Sequence, residues 1–146
     1  MESSVLITVL SGVSVFVIGQ IILKMFLEPV VALKTFFGEI SGLFLRGQPE
    51  IIGATASHET REALYRFAAL LLAQKKAIPF YPVTRFFFGL PSLKSLTSAA
   101  MSLNMLGALT QENAPQVGDK NQYKGIKSEM KNLSNKLNIV TDYSAL

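Results

Sequence analysis

Nineteen consecutive positions without a charge, Val5 to Leu23 (VLITVLSGVSVFVIGQIIL), constrain this chain more than any other feature. At a helical rise of ~1.5 Å per residue such a run is roughly 28 Å long, close to the ~30 Å hydrocarbon core of a bilayer. Lys24 ends the run, and its stem is long enough to carry the ammonium to headgroup level. The expected element is an uncleaved transmembrane helix. A cleaved signal peptide would carry a basic start, a shorter apolar core and a small-residue cleavage site, and none precedes Lys24.

Charge gives the expected orientation. All 14 Lys and Arg lie at or after Lys24, while Glu2 is the only charged side chain before the run. The positive-inside rule then puts the amino terminus outside and the long carboxy-terminal part in the cytoplasm. Cysteine is absent, which excludes disulfide stapling, thiolate nucleophiles and cysteine-ligated zinc. Some 120 residues remain after the anchor, which suffices for one small domain.

Within the anchor, Ser4, Thr8, Gly12 and Gly19 recur near one helix face, with Gln20 polar at the inner end. Small residues on one face allow close approach of another membrane helix. They are also simply common in transmembrane helices, and no pair forms a strict GxxxG. Lys24 and Glu28 continue the Gln20 row, and Pro29 is expected to kink the helix as it leaves the membrane.

Beyond Lys24 an amphipathic pattern continues through Phe26, Val30, Leu33, Phe37, Ile40 and Phe44. Its Phe-rich face suits either the headgroup layer or packing against the rest of the chain. Arg46-Gly47-Gln48-Pro49 reads as a helix stop. Ser57 is the expected cap of a second helix carrying Leu64, Phe67, Ala68 and Leu71, and Ser92 of a third carrying Leu96, Ala100, Leu103 and Leu106. Between them, IPFYPVTRFFFGLP (78–91) holds three prolines, five aromatics and one arginine, so no continuous helix fits it. Two readings stand for Phe80, Tyr81, Arg85, Phe86, Phe87 and Phe88: an aromatic cluster at a membrane interface, or part of the core between two helices.

Residues 111–118 read as a linker. After it Tyr123, Ile126, Met130, Leu133 and Leu137 step three, four, three and four, with Asp119 as the expected cap and lysines off the seam. Such a seam docks on the domain, on a partner helix or, through its basic face, on anionic lipid.

Catalytic constellations are missing from the pattern. His58 is the single histidine, no glycine-rich phosphate loop follows a strand, and the acids are scattered. His58, Glu59 and Glu62 read better as solvated residues at a helix start than as a general base, since no nucleophile accompanies them. No cofactor, metal or nucleic-acid partner is expected.

Taken together, VSVFVIGQIILKMFLEP (13–29), Gly38-Glu39-Ile40 and Ile78-Pro79-Phe80-Tyr81 resemble a loose group of bacterial single-pass membrane proteins. They share an FVxGQIxLKxxLEP-like exit from the membrane helix. The resemblance implies a cytoplasmic-membrane location and a shared unit of Gln20, Lys24, Glu28 and Pro29, and it carries no activity. The expected protein is all-α: an anchor at 1–24, a helical cytoplasmic domain of about four helices counting the tail at 25–110 and 119–146, and a linker at 111–118. Its expected partners are the lipid bilayer and either itself or another membrane protein, in the role of adaptor or accessory subunit. A membrane-active protein of holin or toxin type is the alternative, and a membrane enzyme a remoter one.

Overall fold

The structure, a computed structural model, describes residues 2–111 and 121–143. The expected linker at 111–118 therefore lies, apart from Gln111, outside the described residues, as does Asp119. Every regular element among the described residues is helical: α1 (Glu2–Ile22), a π-helical turn (Leu23–Leu27), α2 (Glu28–Ile52), α3 (His58–Ala77), α4 (Tyr81–Phe88), α5 (Leu93–Leu109) and α6 (Gln122–Leu137).

Glu2 to Ile52 is helical without a break, the π turn joining α1 to α2. In that turn the Glu28 N–H reaches back five residues to the Leu23 carbonyl. Pro29 supplies the reason: it has no N–H to offer Met25, and its ring crowds that carbonyl in a regular α-helix. Widening the preceding turn relieves the clash.

Helix α2 then overruns the expected stop at Arg46–Pro49. Pro49 sits inside the helix, and the last turn continues to Ile52. Ile51 is fully buried there, and Gly47 lets its side chain lie close against the helix. Burial of Ile51 outweighs the backbone bond that Pro49 forgoes. The helix ends instead in a Schellman arrangement, Ala54 N–H to Ile51 O and Thr55 N–H to Glu50 O, with Ala54 in the left-handed region.

The two expected serine caps are in place. Ser57 Oγ accepts from Thr60 N–H and Ser92 Oγ from Ser95 N–H. Asn121, rather than Asp119, caps α6 through Tyr123 N–H.

Four of the helices form an antiparallel bundle in which α3 and α6 each pack on both α2 and α5. Direction follows from paired residues. Phe36 meets Phe67 edge-on at 5.3 Å and Gly47 lies near Thr60, so α3 runs back along α2. Lys75 donates to Thr97 near one end of the α3–α5 pair, and Gly107 lies against Tyr65 near the other. Gln122 donates to the Leu109 carbonyl and Asn132 to Ser102 Oγ, so α6 returns along α5. Ser41 closes the ring by donating to the Val140 carbonyl.

The core takes Val30, Leu33, Phe37, Ile40 and Phe44 from α2, while Phe26 of the expected stripe is only half-buried. It takes Leu64, Ala68 and Leu71 from α3 and Leu96, Ala100, Leu103 and Leu106 from α5. Ile126, Met130, Leu133 and Leu137 of α6 are all buried in it, while Tyr123 is half exposed.

Leu103 is fully buried and Met101, on the opposite face of α5, is 67 % exposed. Leu103→Ala is expected to destabilise the bundle by about 2–5 kcal/mol. Met101→Ala should stay within about 0.5 kcal/mol. Denaturant titration of the detergent-solubilised full chain checks both.

Candidate functional site

Two surfaces stand out because the chain leaves them apolar and uncovered. The first is α1. Thirteen large apolar side chains from Val5 to Leu23 are 40–71 % exposed. It is the one helix among the described residues long and apolar enough to cross a membrane. Fully burying a Val, Leu, Ile or Phe is worth about 1.5–3 kcal/mol each, so the run withholds roughly 20–40 kcal/mol in water. A whole domain is typically stable by only about 5–15 kcal/mol.

Three hydroxyls of α1 are satisfied within the helix. Thr8 Oγ1 donates to the Ser4 carbonyl at 2.9 Å, Ser11 to Thr8 and Ser14 to Leu10. That is what an apolar surrounding demands of a hydroxyl. Gly12 and Gly19 are exposed, and a Cβ at either would meet nothing within 4 Å. Gln20 is half-buried in a shallow groove with Phe16, Val17, Ile21, Lys24 and Met25. Lys24 and Glu28 are exposed, and Pro29 is half-buried.

The second surface is α4, which joins the end of α3 to the start of α5. A sequence-level reading missed this helix, although its limits are written in Pro82 at the second helical position and Gly89 at the C-cap. Gly89 adopts φ +63°, and Leu90 N–H and Arg85 Nε–H close the end through the Arg85 and Leu90 carbonyls.

The expected aromatic cluster is divided between the two faces of this helix. Tyr81, Thr84 and Phe88 point inward: Tyr81 Oη donates to the Pro91 carbonyl at 2.7 Å, Thr84 donates to the Pro79 carbonyl, and Phe88 packs on the core. Phe80, Val83, Phe86 and Phe87 point outward, with Arg85 exposed beside them. The three outward phenylalanines are 73, 84 and 74 % exposed, which amounts to roughly 450 Å² of aromatic surface. Phe86 and Phe87 meet edge-on at 5.7 Å. Patches of several hundred Å² are commonly functional.

Phe80 also holds a left-handed backbone, φ 47° and ψ 42°. For a bulky residue that conformation costs about 1–3 kcal/mol, and glycine would take it freely. A solvent-exposed phenylalanine is thus the wrong choice for both backbone and hydration at this position.

This end of the bundle is also where α1 arrives. Lys24, Met25 and Pro29 share a groove with Lys76, Ala77 and Pro79, the residue directly before Phe80. Between Glu62 and Glu112 the sequence has no acid, and its five charges are Arg66, Lys75, Lys76, Arg85 and Lys94.

Elsewhere, His58, Glu59 and Glu62 are exposed at the start of α3, at the opposite end of that helix from Lys76. No group of three or more metal-ligating side chains occurs among the described residues. The α6 seam meets α5 and α2 of its own chain. The outer face of α5 instead exposes Met101 and Met105. No family model matches this chain, and no curated protein or solved structure matches it.

Burial raises the Tyr81 phenol above its ordinary pKa, with Arg85 pulling the other way. A group raised on folding lends stability below its unfolded value, about 10, and loses it as pH climbs through the folded value. Tyr81→Phe is expected to cost about 1 kcal/mol at neutral pH. The gap to the parent should close above pH ~10, read from denaturation midpoints across pH.

Proposed function

We propose that this chain is a single-pass, membrane-anchored helical interaction protein of a bacterial cytoplasmic membrane, serving as an adaptor or accessory subunit. Val5 to Leu23 spans the bilayer with the amino terminus outside, and the bundle stands in the cytoplasm. The long helix bends where the π turn meets Pro29. The observation that carries this reading is the uncovered apolar surface of α1, continuous with a wall of the bundle. Its internally bonded hydroxyls and the placement of every Lys and Arg at or after Lys24 support it. Unbroken helix from α1 into α2 leaves no extended stretch after the run for signal processing.

Interaction is supported by surface, not by chemistry. In the membrane, Ser4, Thr8, Gly12 and Gly19 offer a face that another helix can approach closely. In the cytoplasm, Met101 and Met105 give α5 an adaptable apolar outer face. The α6 seam serves the chain's own core, so association in the cytoplasm falls to the α5 face. A second reading, a membrane-active protein of holin or toxin type, is favoured by the exposed Phe80, Phe86 and Phe87. Depolarisation of the membrane on expression is its readout.

Crosslinking of a tagged copy in cells, followed by mass spectrometry of the trapped bands, tests the proposal. It should yield either a discrete self-crosslink or one dominant membrane partner. Gly12→Leu with Gly19→Leu should reduce that band several-fold; an undiminished band removes the helix–helix half of the proposal.

A further inference from the structure

We propose that α4 is a second bilayer contact, its Phe80, Val83, Phe86 and Phe87 face entering the acyl boundary of the leaflet from which the long helix emerges. This rests on the membrane-spanning reading of α1. Three independent observations select lipid as the occupant of that face.

Position comes first. The groove shared by Lys24, Met25 and Pro29 with Lys76, Ala77 and Pro79 brings the residue before Phe80 to the level where the apolar run ends. Lys24 is the first charge after that run, so α4 begins at headgroup depth.

Charge comes second. Lys75, Lys76, Arg85 and Lys94 lie to either side of and within the aromatic segment in sequence, in a stretch without a single acid. Cations around an apolar face are what an anionic leaflet attracts, and the cytoplasmic leaflet is the anionic one.

The third is Phe80 itself. It keeps a phenylalanine where the left-handed backbone favours glycine, and it holds the ring away from the core. A ring retained against both preferences acts through what it touches outside the chain. The geometry of α4 agrees: its inward face of Tyr81, Thr84 and Phe88 is fixed to the bundle, so the opposite face is presented rigidly. An interfacial helix of this kind lies in the plane of the membrane and buries its apolar side about 5–10 Å deep. The bundle would then be held at two points, by α1 through the bilayer and by α4 on its surface.

The chain has no cysteine, so single labels can be placed without removing any. Full-length protein carrying Val83→Cys, Ile7→Cys or Glu59→Cys, each with a polarity-sensitive fluorophore, is reconstituted in vesicles of equal parts phosphatidylcholine and phosphatidylglycerol. Nitroxide lipids report depth, and iodide reports water. The Val83→Cys label should be quenched by nitroxides high on the acyl chain and shielded from iodide. Glu59→Cys should stay in water and Ile7→Cys should lie in the acyl region.

Adding Phe80→Gly to the Val83→Cys chain should weaken its lipid quenching roughly two-fold or more, while the thermal midpoint holds or rises. Vesicles of phosphatidylcholine alone should weaken it too. A Val83→Cys label open to iodide while Ile7→Cys lies in lipid overturns the proposal and leaves the span intact. A label shielded from iodide yet untouched by nitroxide lipids also overturns it, and assigns the face to a protein. If Ile7→Cys is itself in water, the spanning reading falls with it.

Discussion

Helical continuity is the constraint on which this molecule is built. The apolar run and the first wall of the bundle belong to one helix, Glu2 to Ile52, with a π turn and no loop between them. Val30, two residues into α2, is already buried against the domain. Packing therefore begins within one turn of Glu28, and the chain has no flexible tether on which the bundle could swing freely. What the other helices contribute is cover for α2 and α5. The π turn accommodates Pro29 where the apolar run gives way to the core.

The chemistry of the surface follows the same axis. At one end of the bundle lie Lys24, Lys76, Pro79 and the aromatic outer face of α4. At the start of α3, the other end, lie His58, Glu59 and Glu62, exposed and set among polar neighbours. The proposed role of the protein comes from this division, and from apolar surfaces that its own chain does not cover. Binding energy is stored where burial has not yet happened.

Much of the fold was legible because periodicity and capping act locally. The α2 stripe from Val30 to Phe44, the serines at 57 and 92, and the Ile126 to Leu137 seam all follow from spacing and hydroxyl chemistry. The misread places were those where tertiary burial overrides a local rule. Ile51 carries the helix past Pro49, which propensity alone forbids, and an alanine, Ala54, occupies the left-handed stop that follows. Helix α4 was hidden by its prolines, although Pro82 and Gly89 sit where a short helix tolerates them best. Spacing could name the aromatic cluster but could not sort it. Which ring faces the core depends on the register set by Tyr81 and Pro91, a hydrogen bond between residues ten apart.

The π turn has a rotational consequence. An α-helix advances about 100° per residue, so one residue accommodated in a widened turn changes the azimuth of all that follows. The apolar face that α1 offers and the direction in which the bundle looks are thus set against each other by Leu23–Leu27. Removing a single residue there would leave apolar helix, core and aromatic face each intact, yet turn the bundle by about a quarter circle relative to anything gripping α1. The turn works as a fixed angular offset between two surfaces that a partner must meet together.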